Sequence, residues 1–542
     1  MQKIAVGGEN FVALRESDSY YVDKTEILQK LIDANNSVTL FTRPRRFGKT
    51  LMINMIESFF SLFKKQDVWA FEGLNVMKHA DFCEKYMNQY PVLSISLKDV
   101  EGLNFESAYA MLKAKISDLF VKFSSLEVGS KTFHNLLHKE ANYEEVKNSL
   151  QTLSRMLHEV YGKKVIILID EYDVPLAKAH ANGYYCEMLD VIRGFMSVAL
   201  KSNEFLEFAV VTGCLRIPKE SIFTGVNNFA SYSVIDKRFA EYFGFTPQEV
   251  NTMLKAFGRS DKMGLVREWY DGYLFGNTEI FCPWDVVNYV SELRVDEDAR
   301  PKNYWNNTSS NDAIKKFFEL EDVEISGSLE ALLNGGSITA TITDQLTYEG
   351  AYSTLANLWS VLLMTGYITP TRQIDDTAIE LRIPNKEIAG IFQTAVVDHF
   401  NQTADKTQIQ ALMNALWAGD TEKASEILSD LLWKTISYMD YHENYYHAFM
   451  AGIFVGRGYE VMSNKESGLG RPDIDLRDRK NRRAIIIEAK KAATESEMEL
   501  KCREALRQIS EQAYGKDLYG YREVLCYGIA FYKKQALVMK LE

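Results

Sequence analysis

Apolar residues along this chain follow two rhythms. In the first half, short runs rich in β-branched residues recur at Ser37–Thr42, Val92–Leu97, Val165–Ile169 and Leu206–Thr212. Longer stretches with apolar residues three and four apart separate them, and Leu51–Phe63 is the clearest of these. The runs are strand-sized and nearly continuous in apolar character, so they predict parallel strands buried on both faces with helices between them, the α/β class. From about 240 to 420 the pattern is mostly helical and rich in aromatics, as in Trp269–Phe275, Pro283–Trp284 and Tyr304–Trp305. Its plainest reading is a packed helical linker or lid. A third unit begins near 420: a helix around Glu443–Val455, a strand near Tyr459–Met462, a turn at Gly468–Gly470, then strands at Ile474–Leu476 and Ala484–Ile487 joined by a charged tip, Arg477–Arg483. The expected boundaries are 1–240, 241–420 and 421–542.

Two constellations of polar residues interrupt this pattern. The first is Arg43-Pro-Arg-Arg-Phe-Gly-Lys-Thr50, set between a predicted strand and a predicted helix. Gly48 permits close approach of backbone to phosphate, Lys49 reaches the outer phosphates, and Thr50 can ligate Mg²⁺. The helix N-terminus behind them offers free N–H groups. The general pattern is G-x-x-x-x-G-K-[ST], and here Arg43 stands where its first glycine belongs. Downstream, Val165–Ile169 runs into Asp170-Glu171. Asp170 is the expected Mg²⁺ residue and Glu171 the residue that polarises attacking water. Taken alone, that strand end is equally well a buried strand finishing in solvated acids; paired with the loop it indicates a nucleotide site. Arg45 and Arg46, with Phe47 beside them, either touch phosphate or tether another segment. Arg216, just after the fourth strand, either senses the γ-phosphate or lies on the surface.

The second constellation is Asp473, an isoleucine-rich strand, then Glu488-Ala-Lys490. Ends of adjacent strands meet in a hairpin, so Asp473 and Glu488 can share one cation, and Lys490 falls on the same strand face as Glu488. Two carboxylates suit a hard metal, and a neighbouring lysine suits activation of water or stabilisation of phosphate charge. Glu443 is a candidate further metal ligand and Gln512 a candidate to orient water or substrate. The competing reading is a structural ion pair at a strand edge. Arg471, Arg477, Arg479, Lys480, Arg482, Arg483 and Lys491 make the region basic, either to grip phosphates or as a solvated hairpin tip.

The whole chain narrows these readings. Its 542 residues are enough for about three domains, each able to bury its own core. A net charge of −12 argues against a general nucleic-acid coat. The six cysteines are scattered, with no C-x-x-C pair, as expected of reduced and mostly buried thiols in a cytoplasmic protein. Met1–Asp23 has no signal-peptide apolar stretch, and no run reaches the ~20 apolar residues of a membrane span, so no membrane association is expected.

At this point the chain resembles a known family, the bacterial AAA-ATPase-like proteins that carry a C-terminal PD-(D/E)XK nuclease-superfamily domain. The resemblance rests on Tyr20–Thr25, Arg43–Thr50, Ile169–Asp173, Thr212–Arg216 with Ser221–Asn228, Phe243–Thr246, Trp269–Tyr273, and Gly470–Asp473 with Glu488–Lys490. In that family arginine at the first position of the loop is usual. The resemblance implies an AAA-like P-loop NTPase sheet with flanking helices and a restriction-endonuclease-like C-terminal α/β core. It implies ATP binding through Lys49 and Thr50, with Asp170 and Glu171 as the second motif, and Asp473, Glu488 and Lys490 at that superfamily's metal and catalytic positions. The expected cofactors are ATP and Mg²⁺, with Mn²⁺ an alternative at the C-terminal site.

Three functions fit. One is an ATP-regulated nuclease acting on DNA; the second is a signalling ATPase whose nucleotide state switches partner contacts; the third is a nucleic-acid-binding module with a vestigial site. The intact Asp473, Glu488 and Lys490 favour the first, and the acidic charge favours the second. Nucleic acid and a homo-oligomeric partner are both compatible with the sequence. The Tyr20–Thr25 segment is expected near the nucleotide.

Overall fold

The four apolar runs of the first half pair side by side in one sheet, with a fifth strand that the pattern did not reveal. The computed structural model describes the chain apart from residues 1, 127–129, 202, 217–221, 224–225, 227, 306–312, 315–327, 330, 334, 344–345, 348–349, 352, 376, 404–405, 436–445, 447–449, 451–453, 455–459, 464–471, 513–517, 519 and 542, and apart from the side chains of 393, 396–403, 406, 433–435 and 460–463. It divides into two units, Met1–Ser309 with Thr339–Glu387, and Ser310–Ile338 with Ile388–Glu542. The stretch 241–420 is shared between them.

In the first unit the strands are β1 (Val38–Thr42), β2 (Val92–Ser96), β3 (Val165–Asp170), β4 (Leu206–Gly213) and β5 (Phe229–Tyr232), in the spatial order β2-β3-β4-β1-β5 and all parallel. Every residue of β1 and β3 is buried, which is why these strands read as continuous apolar runs rather than alternating ones. The helix Lys49–Phe60 lays Met52, Ile53, Ile56, Phe59 and Phe60 against Val92, Ile166, Leu168 and Val210 of the sheet. Each such side chain contributes about 1.5–3 kcal/mol of burial free energy. Because β4 inserts between β1 and β3, the carboxyl ends of three strands distant in sequence converge on the loop that opens this helix.

Beyond the sheet, helices Pro247–Ala256, Met263–Tyr270 and Pro283–Leu293 share a second core built on Val250, Leu254, Tyr270, Val286 and Tyr289. The mostly helical expectation for this stretch omits a hairpin of β6 (Tyr273–Phe275) and β7 (Thr278–Ile280), and a sheet of β8 (Ile338–Thr341), β9 (Thr369–Gln373) and β10 (Ala378–Arg382). The helix stops at Tyr270 and Gly272 follows with φ +95°, which ends the helical rhythm of Trp269–Phe275, and Gly276, with φ +55°, reverses the chain between β6 and β7.

The second unit carries β11 (Glu460–Ser463), β12 (Ile474–Asp478), β13 (Arg483–Lys491), β14 (Glu523–Tyr532) and β15 (Gln535–Lys540), adjacent in that order. β13 and β14 are parallel and the other pairs antiparallel. A parallel pair needs a crossover, and the helix Met498–Gln512 supplies it, packing Leu506 and Ile509 on Ala484 and Ile486, and Met498 and Cys502 on Ala492 and Ala530. Of the expected helix around Glu443–Val455, only Tyr446, Met450 and Phe454 are described; all three are helical and buried. Glu443, the Gly468–Gly470 turn and Arg471 lie outside the described residues. The cysteines are all free, but only Cys282 and Cys502 are fully buried and Cys186 is exposed. No helix among the described residues is long and apolar enough to cross a membrane.

Candidate functional site

The loop between β1 and its helix is held by side chains that point away from it. Arg43, where the general motif has glycine, turns wholly into the core. Its guanidinium donates to the carbonyl oxygens of Thr42 (2.9 Å) and Tyr232 (2.8 Å) and lies 5.1 and 5.4 Å from the rings of Phe243 and Phe275. Burial pushes its pKa down to about 9, opposed by Asp236. Arg46 adopts φ +72° and Gly48 φ +83°. Only the second is a residue that takes this conformation freely, so the first must be held by its surroundings. Arg46 Nη1 donates to Tyr304 O at 3.1 Å, and its guanidinium lies 4.3 Å from the Trp284 ring. Phe47 is fully buried, 5.0 Å from Tyr273, 5.1 Å from Phe275 and 6.5 Å from Trp305. Of the two alternatives for Arg46, the structure shows the tether. Arg45 is exposed, with Cys214, Asp173 and Glu171 as its electrostatic neighbours.

Lys49 curls back over the loop, its Nζ donating to the carbonyls of Arg43 (3.0 Å) and Pro44 (2.9 Å), with Cys214 Sγ at 3.7 Å. Thr50 Oγ1 donates to Asp170 Oδ2 at 2.7 Å. The other oxygen of Asp170 accepts from the Thr212 hydroxyl. Glu171 follows with φ +53°, and burial raises its carboxyl above the usual range, with Lys49 and Lys98 opposing. Asp173 accepts from the backbone N–H groups of Cys214 and Leu215, both at 2.9 Å, and so fastens the end of β4 to that of β3.

Lys49, Thr50 and Glu171 border one cavity of about 610 Å³. One wall is the loop itself, Arg45 to Thr50. Glu171, Lys98 and Lys178 form a charged side, and Tyr20, Val22, Phe245, Trp284 and Val287 an apolar one. Of the segment Tyr20–Thr25, expected near the nucleotide, Tyr20, Tyr21, Val22 and Lys24 line this cavity. Arg216 does not line it; it borders a separate cavity of about 100 Å³ with Ser231, Ser233, Asp236 and Met364. Two contributors went unnoticed in the sequence. Thr212 ends an apolar run with a hydroxyl, a visible signal, but only strand order aims it at Asp170. Lys98, just past β2, is placed near Glu171 and pairs with Glu9 at 2.8 Å.

In the second unit Asp473 and Glu488 lie at neighbouring strand ends, because Ile474 pairs with Ile487. Asp473 Oδ2 accepts from Ala489 N at 2.7 Å, and Lys490 Nζ donates to Glu488 Oε1 at 3.3 Å. Burial and then the charge of Asp473 raise the Glu488 carboxyl to about 7, with Lys490 opposing. Glu488 Oε2 is buried with no hydrogen-bond partner among the described residues. An acceptor of this kind beside a second carboxylate fits a divalent cation.

Gln512 is not brought to this place. Glu488 pairs with Gly528, which abuts Cys502 O, Ala505 and Leu506 of the crossover helix. Gln512 is six residues past Leu506, about 9 Å along the axis, beyond Ile509, which packs on Ala484. One helix residue within electrostatic reach of Lys490 is Glu504. The hairpin cations are largely engaged within the unit: Arg477 with Asp475 at 2.6 Å, Arg483 with Asp478 at 2.9 Å and with the Trp417 ring at 4.1 Å, and Arg482 with Gly520 O at 2.9 Å.

Comparison with known proteins agrees with this division. Residues 5–223 match a family described as predicted AAA-ATPase, and residues 441–541 match the PD-(D/E)XK nuclease superfamily. The chain is also similar to a protein of Azotobacter chroococcum mcd 1 described as an uncharacterized protein in the vnfD 5′ region. The two are 25% identical over 503 residues, 88% of this chain and 87% of that one. The chain thus joins an N-terminal region that matches the predicted AAA-ATPase-like family to a C-terminal region that matches the PD-(D/E)XK nuclease superfamily.

Proposed function

We propose that this protein is an ATPase whose nucleotide cycle regulates a metal-dependent nuclease acting on DNA. The observation that carries the reading is one cavity of nucleotide size lined by Lys49, Thr50 and Glu171, in which Thr50 donates to Asp170 and the other oxygen of Asp170 accepts from Thr212. Lys49 exchanges the loop carbonyls for the outer phosphates. Thr50 and Asp170 would hold Mg²⁺, which would neutralise phosphate charge, and Thr212 fixes the rotamer of Asp170. Glu171, whose raised pKa makes it a better base than an exposed glutamate, accepts the proton of the attacking water. Glu9 keeps Lys98 directed at this charged side. Residues 1–240 supply the loop and catalytic groups, and the stretch after 240 supplies part of a lid, through Gly244, Phe245, Pro283, Trp284 and Val287.

In the region 421–542, Asp473 and Glu488 would hold Mg²⁺ or Mn²⁺, which supplies charge for the phosphodiester transition state and lowers the pKa of the attacking water. Lys490 orients that water and offsets phosphate charge. A second reading is a signalling ATPase with an inactive nuclease fold. The engagement of Arg477, Arg482 and Arg483 inside the unit favours it, since cations so held grip DNA poorly.

The test is incubation of the purified protein with labelled single- and double-stranded DNA and RNA, with Mg²⁺ or Mn²⁺, with and without ATP, beside Lys490→Ala and Lys49→Ala. The expected result is DNA cleavage lost in Lys490→Ala and no longer ATP-dependent in Lys49→Ala. ATP binding without cleavage of any substrate turns the assignment to the signalling reading.

A further inference from the structure

The phosphate-binding loop contains a strained arginine and a buried phenylalanine, and the groups that hold both belong to one short turn. Arg46 donates to Tyr304 O, and Trp284, stacked under Arg46, donates its indole N–H to the same oxygen at 3.3 Å. Phe47 packs on the next residue, Trp305. This turn is not part of a helix or strand, so its geometry needs an external anchor. Glu387 provides it: Oε1 accepts from Tyr304 N at 2.5 Å and Trp305 N at 2.8 Å, and the Asn303 amide donates to Glu387 O at 3.2 Å. Glu387 is buried, as is Asp285 beside it. Burial raises both carboxyls, that of Glu387 further through the charge of Asp285. Among the described residues, Glu387 Oε2 and the Asp285 oxygens have no side-chain hydrogen-bonding neighbours beyond each other and the Cys282 thiol. Two bare anions placed so would cost several kcal/mol; one proton held by the pair removes most of that cost.

We infer that Glu387, backed by Asp285, is the positioning residue of the phosphate-binding loop, setting nucleotide affinity through the Tyr304–Trp305 turn. Glu387 touches no phosphate. It fixes two N–H groups, the turn they belong to fixes Arg46 and Phe47, and these hold the loop in its left-handed path ahead of nucleotide. Glu387 is also the second residue of the helix Lys386–Thr403, whose residues from Ile388 onward belong to the second unit. The residue that anchors the loop thus opens the helix by which the chain leaves the first unit. By thermodynamic reciprocity, nucleotide binding must tighten the turn to the degree that the turn favours binding.

This inference rests on the ATP-binding reading, and one experiment separates the two. MgATP binding is measured by titration calorimetry on the full chain, as wild type, Glu387→Ala, Glu387→Gln and Lys49→Ala. Amide hydrogen exchange at Tyr304 and Trp305 is followed in the wild type with and without MgATP. Expected are a loss of about tenfold or more in affinity for Glu387→Ala and affinity within about threefold of wild type for Glu387→Gln, whose amide oxygen accepts the same two N–H groups. Slower exchange at both amides on MgATP addition is expected as well. No binding by the wild type sinks the ATP reading and this inference with it. Wild-type binding with Glu387→Ala unchanged, or with Glu387→Gln as weak as Glu387→Ala, overturns the positioning role alone. Should Glu387→Ala not fold, the wild-type exchange decides: unchanged protection at Tyr304 and Trp305 overturns the inference.

Discussion

Arg46 has a backbone conformation that a side chain with a Cβ adopts only at a cost of about 1–2 kcal/mol, and its neighbours explain why it persists. Its guanidinium and the ring of Phe47 are both seated on the Trp284, Tyr304 and Trp305 cluster, and Glu387 holds that cluster by two backbone hydrogen bonds. The acid pair beneath has a consequence for pH. Glu387 is pushed from the ordinary 4.5 to about 9, burial first and Asp285 next, in surroundings that include Cys282, Tyr273 and Arg46. Above about pH 4.5 the folded pair holds a proton that the unfolded chain has released. Stability from this pair is therefore full at low pH and is lost as pH rises toward 9, by at most about 1.4 kcal/mol per pH unit. Urea midpoints at pH 6 and pH 8 should fall for the wild type and fall less for Glu387→Gln. Equal slopes in the two proteins would show that the pair does not share a proton.

At the level of elements, the decisive fact is that β4 lies between β1 and β3. That order places the Thr212 hydroxyl against one oxygen of Asp170 while Thr50 occupies the other. A carboxylate pinned from both sides keeps one rotamer, so whatever it holds is held in one place. Thr212→Val keeps the shape of the side chain and removes the donor. The expected outcome is MgATP affinity close to wild type with hydrolysis slowed by about 10–100-fold, measured as steady-state phosphate release. An equal loss in affinity and turnover would assign Thr212 to nucleotide binding instead. In the second unit, the antiparallel pairing of β12 with β13 brings Asp473 to Glu488 across 15 residues of sequence.

The whole molecule consists of two units, each with its own sheet and core. Ligand that binds one folded unit stabilises that unit by mass action, about 2.7 kcal/mol at a hundred times Kd. Differential scanning calorimetry should resolve two transitions, and MgATP should raise one of them in the wild type, leave the other unmoved, and raise neither in Lys49→Ala. A single transition that shifts as a whole would mean that the units unfold as one cooperative body. The net charge of −12 belongs to this scale too, since a chain this acidic would meet a polyanion only through local cationic surface.

Much of this was written in local sequence. Four of the five strands of the first sheet, the loop Arg43–Thr50 and the acid pair Asp170-Glu171 follow from runs of apolar residues broken by particular polar ones, signals carried by neighbours along the chain. Asp473 with Glu488-Ala-Lys490 was legible for the same reason, because hairpin strands pair their ends. The short strand β5, the hairpin after Tyr270 and the tethering of Arg46 and Phe47 were not, since each depends on partners more than a hundred residues away or on a turn that cuts a helical rhythm short. Gln512 was misplaced because a helix's direction across a sheet decides which of its turns meets a given strand residue, and periodicity alone does not carry direction. Glu387 lies 341 positions from Arg46 in the sequence, and no local pattern connects them. Only folding, which seats both against one turn, decides that they act together.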